Sequence, residues 1–181
     1  MCKILISGYY GFGNAGDEAL LSSILQALVE LEPQAEITVI SGNPKETMHT
    51  HKVKAIGRFD MWKIYQAVYS CDMLISGGGS LLQDVTSARS LYYYLSIITL
   101  ANTLGKRVMI YAQGIGPLRK SIARSTVGHV LNQVSQITVR DYASKEELLS
   151  LGIHDVPITV TADAVLGMHP VDTTAGHTML E

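Results

Sequence analysis

Cysteine is almost missing from this 181-residue sequence: Cys2 and Cys71 are the only two, far apart and in no metal-like spacing. That excludes a disulfide scaffold and suits a reducing compartment, so a cytoplasmic protein is expected. Positive charge is also scarce. The formal net charge is -2, and Lys and Arg are scattered rather than striped. Nothing in such a chain would neutralise a phosphate backbone, and no nucleic-acid partner is expected. The longest apolar stretch, residues 91–104, is broken by Ser96, Thr99, Asn102 and Thr103. It falls short of the roughly 20 residues that cross a bilayer and reads as a buried helix. The N-terminus lacks the layout of a signal peptide, so export is not expected. There is no G-x-S-x-G elbow, H-E-x-x-H helix or G-x-x-x-x-G-K-[ST] loop, which removes serine hydrolases, zincins and P-loop NTPases. His49 and His51 sit in a polar segment with no third ligand nearby, so no metal site is expected.

What is present is a globular composition, 47% hydrophobic and 17% charged, in a length that suits one well-buried domain. Lys3 to Ser7 is an apolar run of buried-strand type. Leu20, Leu21, Ile24, Leu28 and Leu31 then recur at helical spacing. The same alternation continues along the chain. Strands are expected at 37–40, 53–56, 73–76, 108–112, 137–139 and 158–160. Helices are expected at 60–69, 90–104, 121–134 and 142–151, and a surface loop at 45–52. This pattern predicts an α/β fold with a doubly wound, mainly parallel, Rossmann-like sheet of six or seven strands over residues 1–167. Residues 168–181 read as an interdomain linker.

In such a sheet, ligands bind beyond the carboxyl ends of the strands, so the residues that end each strand carry the functional reading. Gly11, Gly13 and Gly16 match G-x-G-x-x-G literally. The first glycine comes four residues after the strand, however, and Asp17 and Glu18 follow where a pyrophosphate would need open N–H groups, which argues against a dinucleotide. Asp17 reads either as a helix N-cap or as a carboxylate that holds a sugar hydroxyl. Asn14 beside it suits a left-handed turn. Gly77, Gly78 and Gly79, directly before Ser80, are either a nest of N–H donors for an anion or a tight turn packed on a neighbour. Gln113 and Arg140 end two further strands. The Arg140 guanidinium could grip a carboxylate or phosphate, or tie loops together through Asp141, Asp163 or Asp17. His129 is read as a packed or surface residue. Tyr92, Tyr93 and Tyr94 are read as packing a helix on the sheet, a tyrosine edge being also able to wall a sugar site.

Four segments in order, GYYGFGNAGDEALL at 8–21, LISGGGSLLQD at 74–84, YAQGIGP at 111–117 and TVRD at 138–141, resemble the polysaccharide pyruvyl transferases, and among them the cell-wall enzymes. The resemblance runs from Lys3 to about Met168. It implies a glycosyltransferase-B-like architecture of two Rossmann-like halves, of which this chain would be the N-terminal one and inactive alone. Two such halves fit the usual range of domain sizes. It also implies transfer of pyruvate from phosphoenolpyruvate to a sugar such as N-acetylmannosamine, forming a ketal on a lipid-linked cell-wall precursor that anchors S-layer proteins. No cofactor is implied, since phosphoenolpyruvate is the donor substrate. The implied partners are that donor, the lipid-linked saccharide acceptor, and a C-terminal half or a second copy. Recruitment to the inner membrane face would follow from the acceptor. On this reading Asp17 is catalytic, Asn14 and Gln113 bind the sugar, and Gly77, Gly78, Gly79, Ser80 and Arg140 bind the donor. The general acid is expected beyond Glu181. A nucleotide-sugar glycosyltransferase and a non-catalytic binding domain are the alternatives.

Overall fold

The computed structural model describes residues 1–85 and 87–168. Among these, seven strands form one sheet: β1 (Lys3–Ser7), β2 (Glu36–Ser41), β3 (Lys54–Gly57), β4 (Met73–Gly77), β5 (Arg107–Gln113), β6 (Gln136–Val139) and β7 (Ile158–Val160). Their order is β3-β2-β1-β4-β5-β6-β7, with every neighbouring pair parallel. The connections carry α1 (Ala15–Leu31), α2 (Pro44–His51), α3 (Met61–Ser70), α4 (Ala88–Thr103), α5 (Ser121–Leu131) and α6 (Tyr142–Ser150). This is a doubly wound Rossmann-like sheet. The chain runs outward from β1 to β3 and returns to lay β4 on the other side of β1. The strand order therefore reverses between β1 and β4, where such folds open a crevice for ligands.

The apolar alternation along each strand feeds two cores. Ile4 and Ile6 of β1 pack with Leu20, Leu21, Ile24 and Leu25 of α1. Leu5 points the other way, into a larger cluster with Ile64 and Val68 of α3 and Leu91, Leu95 and Ile98 of α4. Burial on both faces is why β1 and β4 read as unbroken apolar runs.

Residues 45–52, expected as a loop, are mostly helix α2. Its hydrophobic signal is weak because only Thr47 is buried. The helix is held instead by its ends. Asn43 Oδ1 accepts from the Glu46 N–H and Asn43 Nδ2 donates to Glu46 Oε2 at 2.8 Å, Pro44 takes the first turn, and Lys52 closes it with φ 57°. A short 3₁₀ helix at Ala164–Gly167, also unforeseen, packs on α1, where the buried Ser23 hydroxyl donates to the Ala164 carbonyl. Of the expected linker, residues 169–181 lie outside the described residues.

Candidate functional site

The loop after β1 is built around Tyr10. Its ring is buried and its hydroxyl donates to the Gly77 carbonyl at 2.7 Å, tying the ends of β1 and β4 together. Burial, with the Asp17 charge nearby, pushes this phenol far above its usual range, so it stays a donor. Gly8 is required here because a Cβ would lie 2.3 Å from the Tyr10 ring. Gly11, at φ +76°, donates its N–H to Glu18 Oε1 at 2.7 Å, and a Cβ there would meet Ser41 Oγ at 2.1 Å. Gly8 thus makes room for the Tyr10 ring, and Gly11 lets the loop pack against the end of β2.

The cap of α1 is Asn14 and not Asp17. Asn14 Oδ1 accepts from the Gly16 and Asp17 N–H groups at 3.0 and 3.4 Å. The loop enters the helix one turn earlier than a cap at Asp17 would require, which leaves the Asp17 carboxylate in the first turn. Among the described residues it accepts no hydrogen bond. Burial first, and then the Glu18 charge, raises its pKa above the ordinary carboxylate value. Glu18 itself is engaged by Gly11 and by His51 Nε2 at 3.1 Å, while Ser22 Oγ lies 3.5 Å from His51 Nδ1. Among the described residues no cluster of His, Cys, Asp and Glu has the make-up of a metal site.

The three glycines at the end of β4 and just beyond it divide between the two expectations. A Cβ on Gly77 would strike Ile24 at 2.7 Å, and one on Gly78 (φ +77°) would press on Leu20 at 3.1 Å, so both let the turn dock on α1. The Gly78 N–H is used by the Tyr111 carbonyl. Gly79 (φ +65°) faces Asp17 Oδ1, which lies 3.4 Å from its would-be Cβ. The Gly79 and Ser80 N–H groups donate to no backbone carbonyl among the described residues.

Around this turn the fold leaves a cavity of about 560 Å³ at the switch point, lined by Tyr9, Asn14, Asp17, Ser80, Leu81, Gln83, Ser87, Ser90 and Tyr94. Its walls combine apolar surface, from Leu81 and the tyrosine rings, with hydroxyls, amides and one carboxylate. A second cavity of about 280 Å³ opens on the far side of Ser80, against Gly114, Gly116, Arg140, Asp141, Ser144 and Glu147. Here the Arg140 guanidinium lies flat over Gly114, where a Cβ would sit 2.7 Å from Nη2. It donates to Ser80 Oγ at 3.2 Å and makes long ion pairs with Asp141 at 3.4 Å and Asp163 at 3.5 Å. Asp141 also caps α6 by accepting from the Ser144 N–H at 2.7 Å. That bond, the Ser144 hydroxyl and Arg140 hold its pKa below the ordinary value.

Gln113, expected to touch a sugar, reaches neither cavity. It is fully buried, and its Nε2 donates to the Ser76 carbonyl and hydroxyl, both at 2.9 Å. The cause is a bulge at the end of β5: Ala112 takes φ +47° and gives its N–H to Thr138 Oγ1, which turns Gln113 back under β4. Asp84 went unassigned in the sequence although it ends the second motif. It is buried, and its two oxygens accept from the Arg119 and Lys120 N–H groups at 2.9 and 2.8 Å, fixing the loop that follows Pro117. Those bonds hold its pKa low. Only an acidic residue at the end of a glycine-rich turn could have marked it. Of the three tyrosines, Tyr94 is buried, Tyr93 donates to the Arg58 carbonyl at 2.9 Å, and Tyr92 is exposed. His129 is exposed beside Gln133.

A doubly wound parallel sheet with a cavity at its switch point, next to a pocket that holds a guanidinium, defines an α/β protein of the Rossmann-like class. Within that class, residues 14–176 match the family model "Polysaccharide pyruvyl transferase", and the chain belongs to that family, a family of transferases. Comparison with curated proteins and with solved structures gave no match. No helix among the described residues is long and apolar enough to cross a membrane.

Proposed function

We propose that this chain carries the part of a pyruvyl transferase that brings phosphoenolpyruvate and a sugar together. The observation that carries the reading is that the partly buried Asp17 carboxylate and the Arg140 guanidinium line two cavities with one shared wall, Ser80. The cavity that holds the Arg140 guanidinium suits the donor, whose carboxylate and phosphate need a guanidinium and clustered N–H groups, provided the anion displaces Asp141 from Arg140. The hydroxyl- and amide-lined cavity suits the neutral acceptor. A carboxylate there repels an anion but accepts hydrogen bonds from a sugar diol.

In the reaction the methylene carbon of phosphoenolpyruvate takes a proton, and its C2 becomes an oxocarbenium-like centre. Two sugar hydroxyls bond to C2 as the C–O bond to phosphate breaks. One hydroxyl proton is balanced by that gained at the methyl carbon and the other leaves with phosphate. Asp17 is suited to receive a hydroxyl proton, because its raised pKa brings it closer to the working pH. Arg140 balances the donor's negative charge, and a bound anion would replace its two long carboxylate contacts with shorter ones. No histidine or lysine lines either cavity among the described residues. The donor of the carbon-bound proton is therefore to be sought elsewhere, consistent with a site completed by a second half or a second chain.

The test is phosphate release from phosphoenolpyruvate with an N-acetylmannosamine acceptor, measured on this chain and on any longer form. Acceptor-dependent release that is lost in Arg140→Ala is expected. No release from any form, with a nucleotide sugar bound instead, would overturn the proposal.

A further inference from the structure

Two tyrosines line the larger cavity, and they meet it differently. Tyr94 is 1% exposed and its hydroxyl is buried, out of a ligand's reach, whereas Tyr9 is 38% exposed. Exposed side chains on loops ordinarily change rotamer freely. Tyr9 is braced instead. Its ring stacks on Phe12, with centroids 4.3 Å apart and planes 16° from parallel. Phe12 is seated against Gly42, where a Cβ would come within 2.6 Å of its ring, and the Arg58 guanidinium lies over it at 5.0 Å. Arg58 is fixed in turn: its backbone N–H donates to the Ser41 carbonyl at 2.9 Å, and its guanidinium lies over the Tyr93 ring at 4.7 Å. Among the described residues no second ring stacks on Tyr9 and no cation lies over it. The fold thus backs one face of an exposed ring from the ends of β2 and β3 and from α4, and leaves that ring on the cavity wall.

We propose that Tyr9 is a saccharide platform, whose ring, on the side away from Phe12, stacks on the C–H face of a pyranose while Asp17 and the cavity's serines engage its hydroxyls. This rests on reading the cavity as the acceptor site. The class of ligand follows from what the wall offers. The face of an aromatic ring is electron-rich, so it attracts polarised C–H bonds and repels an anion. A pyranose has such a C–H face and a rim of hydroxyls, and Asp17, Ser80, Ser87 and Ser90 line the same cavity with acceptors and donors for that rim. A nucleobase would also stack, but the phosphates of a nucleotide need cations, and the described lining residues of this cavity include no Arg, Lys or His. The bracing matters because a ring fixed before binding has little rotamer freedom left to lose when the sugar arrives.

Tyr9→Ala removes the ring and Tyr9→Phe keeps it. The full chain and both variants are titrated calorimetrically with N-acetylmannosamine, phosphoenolpyruvate and uridine diphosphate, and the proton NMR spectrum of the sugar is recorded with the wild-type chain. Saccharide binding is expected to be roughly three- to tenfold weaker in Tyr9→Ala, the worth of one stacking contact, and within about twofold of wild type in Tyr9→Phe, with phosphoenolpyruvate binding unchanged in both. With the wild-type chain, the C–H protons of one sugar face are expected to move upfield under the ring current, a readout that needs no variant to fold. A bound sugar without that shift would overturn the proposal, as would undiminished saccharide affinity in Tyr9→Ala. An equal loss in Tyr9→Phe would also overturn it, by assigning the effect to the hydroxyl, and a parallel loss of phosphoenolpyruvate binding would do so by marking general damage. Uridine diphosphate binding that depends on Tyr9, with no saccharide bound, would overturn it in favour of a nucleobase. A wild-type chain that binds phosphoenolpyruvate but no saccharide would overturn both this role and the acceptor-site reading. Saccharide binding that depends on the Tyr9 ring, in a chain that ignores phosphoenolpyruvate, would leave this role standing while the pyruvyl transfer reading fell.

Discussion

Asp17 holds a charge from which the fold gains nothing. Its carboxylate is partly buried, accepts no hydrogen bond among the described residues and sits beside Glu18, so its pKa is raised in the folded chain. The folded state therefore binds the Asp17 proton more tightly than the unfolded state does. Ionisation costs stability, a cost absent below the ordinary carboxylate range and fully present above the raised value. Its place in the first turn of α1, where the helix dipole favours an anion, offsets only part of this. Asp17→Asn is accordingly expected to melt at the same temperature as wild type or higher at pH 7, while pyruvyl transfer falls about 100-fold or more, the loss typical of a missing general base. Thermal melts and phosphate release check the two halves. Arg140 differs, because its partners Asp141 and Asp163 cap α6 and the 3₁₀ helix. A loss of midpoint in Arg140→Ala would report those contacts, and a loss of donor binding would report the site.

At the scale of elements, the cavity exists because two turns approach α1 and each other closely. Gly8 admits the Tyr10 ring, Tyr10 fixes Gly77, and Gly77 and Gly78 rest on Ile24 and Leu20. Gly8→Ala would push a methyl into a ring at 2.3 Å that is also hydrogen-bonded and cannot swing away. The expected cost is about 1–3 kcal/mol, read by denaturant unfolding, together with weaker ligand binding because the β1 turn shifts. Helix α2 shows the opposite logic. It buries little, so its caps decide it, and Asn43→Ala is expected to cost about 1 kcal/mol. The same denaturant titration checks it.

For the molecule as a whole, acid is the expected weakness. Asp84 and Asp141 are held below the usual carboxylate range by backbone N–H groups, Asp60 by the Lys63 N–H, and Glu36 by Lys54. Each contributes stability that is present above its unfolded pKa near 4 and lost as pH falls through the lower folded value. Asp17 has the opposite sign but stands alone against four. The melting midpoint is therefore expected to fall steeply below about pH 4. In Asp84→Asn it should start lower at neutral pH and fall less, since the Arg119 and Lys120 N–H groups lose a charged acceptor. Melting curves from pH 7 to pH 3 on both proteins measure this difference.

The fold was legible in the sequence because a sheet buried on both faces writes itself as short apolar runs, and the amphipathic helices between them as a 3.6-residue repeat. The strand ends followed, and with them the edge where Asn14, Asp17, Ser80 and Arg140 gather. Helix α2 escaped because capping, not hydrophobicity, defines it, although Asn43-Pro44-Lys45-Glu46 held the signal. What only tertiary structure decided was which polar strand-end residues face ligand and which face the protein. A bulge of one residue at Ala112 turned Gln113 inward. The register of the Asn14 turn gave the cap to Asn14 and left the Asp17 carboxylate without a hydrogen-bond partner among the described residues. Tyr94, one of three adjacent tyrosines, is set apart by its hydroxyl's lack of a partner. Each depends on atoms brought together from distant parts of the chain, and no local spacing records that.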